Sequence, residues 1–152
     1  MMIQKIKTVI VAQLKQGVSP QGLALTFAMA VILGIFPILG STTLLCFIFA
    51  WLMKLNQPLI HALNYIVYPL QIALIPVFLK MGRWIFGAPP ISLYPDQILK
   101  EFFKDWVRFF ENYGEAGLHA ITAWTLVAPF LALAIYSFMR PTFERINKRR
   151  QG

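Results

Sequence analysis

The sequence predicts an all-α integral membrane protein, and three observations carry that prediction. Of its 152 residues, 58% are hydrophobic and 13% are charged. Soluble domains usually run near 45–50% apolar and about 25% charged. The charges are also unevenly placed: none occurs at 16–53, at 55–79 or at 116–139. Finally, glycine and proline interrupt the longest uncharged block at its centre, in Gly34-Ile-Phe-Pro-Ile-Leu-Gly40. Such a composition excludes disorder, which needs low hydrophobicity. The lone Cys46 excludes a disulfide scaffold and reads as an inert buried thiol.

The segment 1–16 reads as an amphipathic helix. Ile3, Ile6, Ile10 and Leu14 share one face, and Lys5 and Lys15 lie opposite. Lysines break up any apolar core here, so no signal peptide is expected. Gly17 suits the helix stop, and Ser19-Pro20 suits the next start as N-cap and first helical residue.

The block 18–53 is too long for one crossing and short for two with a turn. The Gly/Pro break leaves half-segments at 20–33 and 41–53, each about 20 Å long as helix. The hydrocarbon core is about 30 Å thick. A re-entrant hairpin fits these lengths. Two short, tilted spans with local thinning of the bilayer fit them too. The run 55–79 reads as one crossing carrying Pro58, Pro69 and Pro76.

From 80 to 116 the pattern predicts a loop at Gly87-Ala-Pro-Pro90 and then one helix over 95–113. Ile98, Phe102, Trp106, Phe109 and Tyr113 share one side with Leu99, Phe103 and Phe110. Lys100, Glu101, Lys104, Asp105, Arg108, Glu111 and Asn112 fill the other. An aromatic stripe backed by mixed charge suits a helix lying in the membrane interface, or one packed on the protein's own bundle. The run 117–139 is a clean final crossing, and 140–152 is a basic tail.

Net charge is +8, concentrated in the N-terminal helix and in the tail. Both termini are therefore expected in the cytoplasm. A hairpin and a pair of short spans give the same sidedness. The positive charge thus marks a membrane edge, and no nucleic-acid partner is expected. Lys5, Lys15, Arg140, Arg145, Lys148, Arg149 and Arg150 are placed to contact anionic lipid headgroups.

In lipid, a broken helix is tolerated only against protein or a wet cavity. That makes the Gly34–Thr43 stretch the leading candidate site. Pro37 breaks the helix, and Gly40-Ser41-Thr42-Thr43 opens the second half-helix inside the bilayer. The free N–H groups and positive dipole end there suit a small anion, carboxylate or phosphate. The plainer reading is close helix packing and local back-bonding by Gly, Ser and Thr. His61, Asn64, Tyr65 and Tyr68 recur at helical spacing and predict a polar face, with Gln71 beyond Pro69. That face is either a binding wall opposite the break or a set of interhelical hydrogen bonds. The candidate ligand-binding set is Gly34, Pro37, Gly40, Ser41, Thr42, Asn64 and Gln71. No catalytic residue, metal site or cofactor is expected. The histidines lie outside zinc motifs, and no phosphate-loop or dinucleotide fingerprint occurs.

Several motifs in order carry a family resemblance: Gly17-Val-Ser-Pro20, Leu23-Ala-Leu25, Phe27-Ala28, Gly34-Ile-Phe-Pro-Ile-Leu-Gly40 with Thr43, Leu55-Asn56-Gln-Pro58, Tyr68-Pro69-Leu70 and Gly82. Over about residues 14–85 the chain resembles the bacterial domain-of-unknown-function family 2062. Tyr68 stands where that family's common form has asparagine. The resemblance implies a bacterial inner-membrane location. Members that look fused to glycosyltransferase domains imply envelope glycan or lipid chemistry. Two functions follow as expectations. One is transport- or channel-like handling of a small or lipid-borne anion, with a second copy to enclose a path. The other is a non-catalytic scaffold that docks an envelope glycosyltransferase. Polar groups meeting at a cavity favour the first; a dry interior with an exposed aromatic stripe favours the second.

Overall fold

The computed structural model describes residues 2–151, without the side chains of residues 2, 3, 6, 14, 15 and 150. The amphipathic face expected at 1–16 therefore lies partly outside the described side chains. Six helices make up the described chain: α1 (Met2–Lys15), α2 (Pro20–Gly34), α3 (Thr42–Leu52), α4 (Gln57–Ile85), α5 (Pro95–Lys104) and α6 (Trp106–Gln151). No strand occurs among the described residues.

The starts of α2 and α4 follow from local chemistry. Ser19 Oγ accepts a hydrogen bond from the Gly22 N–H at 3.0 Å, with Pro20 at the first helical position. Asn56 Oδ1 accepts from the Leu59 N–H at 2.8 Å, and its amide donates to Gln13 Oε1 of α1. α2 and α3 match the predicted halves closely and pack against each other. At about 22 Å and 17 Å long, neither reaches the ~30 Å of a hydrocarbon core. α4 runs past the expected end at 79 to Ile85, through Pro69 and Pro76. It stops where Gly87, at φ +63°, lets the Gly87 and Ala88 N–H groups bond the Trp84 and Arg83 carbonyls.

The expected single helix over 95–113 is two. Asp105 leaves the helical region at φ −157°, and its Oδ1 accepts from the Arg108 N–H at 3.1 Å. The sequence reads this pair as opposite charges on one face, but it is an N-cap. From there α6 continues without a break through Gly114, Gly117, Pro129 and Pro141 into the basic end. The residues expected as the end of an interfacial helix, a last crossing and a tail thus share one helix. The Gly114–Gly117 region stays helical because the following stripe, Ala116, Ala120 and Ala123, is completely buried. α4 and α6 are the two described helices long and apolar enough to cross a membrane.

α2, α4 and α6 form the centre of the bundle, and α3 packs on α2 and α4. One core cluster joins Ile10 of α1, Leu23 and Leu33 of α2, Cys46 of α3, Ile60 of α4 and Phe143 of α6. Gln21 also donates to Glu144 at 3.3 Å. The two chain termini therefore lie at the same end of the bundle. Toward the other end, Ile35, Phe78, Ala120 and Ala123 form a second cluster. There α4 and α6 touch backbone to backbone: a Cβ on Gly82 would overlap the His119 carbonyl. Replacing Gly82 with alanine is expected to push the helices apart and to cost about 1–3 kcal/mol, as overpacking does. A clearly lowered melting temperature in detergent, read by circular dichroism, checks this.

Candidate functional site

The break between α2 and α3 is closed by side chains from two other helices. The last carbonyls of α2 and those of the following loop have lost their helical donors. Trp124 of α6 donates its indole N–H to the Ile32 carbonyl at 3.0 Å. Gln71 of α4, fully buried, donates its amide to the Phe36 carbonyl at 2.8 Å and to the Ile38 carbonyl at 3.3 Å. Ser41 Oγ also donates to the Ile38 carbonyl, at 2.8 Å. The Phe36 ring stands edge-on to Trp124 at 4.9 Å, and Pro37 is buried beside it. At ~1.5 Å per residue, Gln71 lies about 21 Å along α4 from Gln57.

Gly34 faces α4. A Cβ there would lie 2.9 Å from Val67 Cγ1 and 3.2 Å from Asn64 Oδ1, so the close approach requires glycine. Asn64, 4% exposed, donates to Thr42 Oγ1 at 3.4 Å. The predicted residues thus fall into two groups about 10 Å apart along α4: Gly34, Thr42 and Asn64 in one, and Gln71 with the loop carbonyls in the other. They do not converge on one pocket, and the cavities described lie elsewhere.

Gly40 sits apart from both groups. It is exposed, adopts φ +83°, and has nothing near the place a Cβ would occupy. Ser41 is N-terminal to α3 but makes no capping bond with its side chain. The first-turn N–H groups of Thr42, Thr43 and Leu44 therefore have no protein partner among the described residues. The buried polar atoms left over are of the opposite kind. Asn64 Oδ1 and Gln71 Oε1 are acceptors without a partner among the described residues. A free carbonyl oxygen repels an anion, so Asn64 and Gln71 do not present an anion site through these atoms; their amides fasten the hairpin.

The polar face expected on α4 is corrected by the structure. Tyr65 and Tyr68 are exposed and only partly share the inward side, which carries Asn64, Val67 and Gln71. Of the expected headgroup contacts, Lys5, Arg145, Lys148 and Arg149 are exposed, and Arg140 is held by Glu144 at 2.8 Å. The side chains of Lys15 and Arg150 lie outside the described residues. The aromatic stripe is open: Phe103, Trp106 and Phe110 are exposed, while Phe102 meets Phe109 edge-on at 5.3 Å. No group of His, Cys, Asp and Glu able to hold a metal occurs among the described residues.

Trp124 and Arg83 are the residues that sequence reasoning passed over. A tryptophan inside a run free of charge carries a donor that must be met when buried, and that was the available signal. Arg83 gave no signal beyond its place at the end of an apolar run.

The family described as an uncharacterised protein conserved in bacteria (DUF2062) matches residues 4–152. The chain belongs to this family. The DUF2062 match thus takes in α5 and α6, well beyond the 14–85 that the motifs cover. No curated protein and no solved structure matches the chain. Within this DUF2062 protein, the closure of the break has a testable value. An ordinary interhelical hydrogen bond in a membrane averages about 0.6 kcal/mol. Gln71→Leu instead orphans the Phe36 carbonyl, since Ser41 still bonds that of Ile38, and is expected to cost about 1–3 kcal/mol. Thermal unfolding in detergent should show that loss for Gln71→Leu, and a much smaller one for Tyr68→Leu on the outer side.

Proposed function

We propose that this chain is a non-enzymatic, multi-pass protein of the bacterial inner membrane. In this reading both termini are cytoplasmic, and α2–α3 form a re-entrant hairpin that handles a lipid-borne anion at its tip. The observation that carries the reading is the open first turn of α3, whose N–H groups have no partner among the described residues, beside the exposed Gly40. Such a turn attracts negative charge through its amides and its dipole end. The depth supports the membrane placement. The tip meets α4 about 21 Å from its start, inside a ~30 Å hydrocarbon layer.

The lipid-borne class follows from access. Asn64, Gln71 and Thr42 close the interior side of the tip and do not line a described cavity. Gly40 instead opens outward, beside the apolar exposed residues Leu39 and Leu44. A lipid phosphate reaches that place by dipping about 9 Å below the far headgroup level, its acyl chain staying in the bilayer, and needs no water-filled pore. The partners in this reading are membrane lipids and a second copy of the chain.

One observation favours the second reading, a scaffold that docks a glycosyltransferase. The exposed aromatic arm of α5 and the start of α6 offers a surface independent of the hairpin.

The test combines accessibility with binding. In a Cys46→Ala background, a cysteine at position 40 is expected to react slowly with soluble thiol probes from both sides of right-side-out and inverted vesicles. Rapid labelling from the periplasmic side excludes the re-entrant tip. Gly40→Leu is expected to weaken binding of dioleoyl phosphatidic acid by about tenfold, a loss of ~1.4 kcal/mol. Unchanged binding by a folded Gly40→Leu protein removes the tip as the site.

A further inference from the structure

A second feature lies at the far end of α4, away from the hairpin tip. There a cavity of about 240 Å³ opens between the end of α4 and the loop that leads to α5. Leu79, Pro90, Ile91 and Leu93 supply apolar walls, and Lys80 and Arg83 supply two positive charges. No carboxylate lines it.

Arg83 is the unusual member. Its side chain is 10% exposed, yet its partners are few. Nε donates to the Pro89 carbonyl at 2.7 Å, and Nη1 lies 3.6 Å from Glu115 Oε1. Glu115 is itself mostly solvent-facing and is shared with His119 Nε2 at 3.7 Å. A guanidinium has five N–H donors, and a buried cation is costly unless well paired and hydrogen-bonded. Most of these donors have no partner among the described residues. Among the described residues no carbonyl of α4 accepts from the guanidinium; its one hydrogen-bond acceptor is the Pro89 carbonyl.

We infer that this cavity binds an anionic phospholipid, with its phosphate between Lys80 and Arg83 and its upper acyl chain against Leu79, Ile91 and Leu93. Charge and shape select the ligand together. Two cations against the single, solvent-facing carboxylate of Glu115 leave a net positive charge that calls for an anion, the planar fork of Arg83 suits phosphate, and the apolar walls call for an attached chain. Depth agrees. Lys80 lies about 35 Å along α4 from Gln57, beyond a ~30 Å hydrocarbon layer and so at headgroup level. The site lies at the opposite end of the bundle from the two termini, remote from the basic tail. The inference rests on the membrane placement proposed above, but not on the hairpin tip.

The test uses the full chain, first fractionated and then purified in detergent. Recovery in the soluble fraction without detergent defeats the membrane placement itself. With detergent-extracted protein, native mass spectrometry measures retention of dioleoyl phosphatidic acid against dioleoyl phosphatidylcholine. Phosphatidic acid is expected to be retained preferentially. Lys80→Gln should weaken its retention by about tenfold, the effect of losing one charge-assisted contact. Leu93→Trp, which fills the cavity and keeps every charge, should abolish it. Both variants leave the contacts of Arg83 in place, and circular dichroism verifies their fold. The two cavity variants are compared in the Gly40→Leu protein, whose tip binding is weakened, so that retention lost there belongs to this cavity and not to the tip. Equal retention of both lipids, or no effect of either cavity variant, overturns the inference. Displacement of the lipid by excess inorganic phosphate also overturns it, in favour of a site for the free ion.

Discussion

An interrupted helix inside an apolar bundle leaves backbone carbonyls that something must satisfy, and the rest of this structure is arranged around that need. Water is scarce in such surroundings, and an unmet carbonyl costs far more than an ordinary side-chain hydrogen bond returns. Two side chains answer it. Gln71 spans two loop carbonyls from α4, and Trp124 reaches the end of α2 from α6. These bonds fix the depth, the rotation and the neighbours of the hairpin together. They also explain why α2, α4 and α6 make the central packing, while α3 joins from one side.

Small residues let those bonds form. Gly34 admits Asn64 and Val67, and Gly82 brings α4 against the backbone of α6 at His119. The buried Ala116, Ala120 and Ala123 continue the same contact along α6. Helices without a hydrophobic drive between them associate through such close approach. The polar groups then act at short range in a dry setting. This division of labour separates the residues that fasten the hairpin from those free to bind. Asn64 and Gln71 belong to the first kind, and the proposed function places the first turn of α3 in the second.

Much of the fold was legible because its signals are local. Ser19-Pro20 and Asn56-Gln57-Pro58 start helices by capping chemistry, and Gly34, Pro37 and Gly40 stop one. The halves 20–33 and 41–53 therefore emerge within about a residue of α2 and α3. The errors came where a short-range signal had two meanings. Asp105 and Arg108 form a charge pair at helical spacing, but also a cap and its target, and the cap won. Gly114 and Gly117 suggest a boundary, whereas packing against α4 keeps the helix whole. Tyr65 and Tyr68 share helical spacing with Asn64, yet periodicity alone does not say which edge of a face turns inward. The candidate residues were recognisable by type. Their separation into two groups depends on the register of α4 against the hairpin, which one sequence does not reveal. The burial of Arg83 depends on the loop folding back over it, a contact made through the Pro89 carbonyl.

The closure of the break also constrains the order of assembly. Gln71 lies 35 residues after the Phe36 carbonyl that it bonds, and Trp124 lies 92 residues after the Ile32 carbonyl. As the chain emerges from the ribosome, the hairpin is made before either donor exists. Its carbonyls then have only water to bond, and a bilayer interior supplies almost none. In the membrane placement proposed above, the hairpin is therefore expected to wait at the membrane surface until α4 and then α6 are in place. On that placement the pair of helices made early becomes the pair inserted last; in the fold itself, α6 near the end of the chain completes the seat for a segment near its beginning.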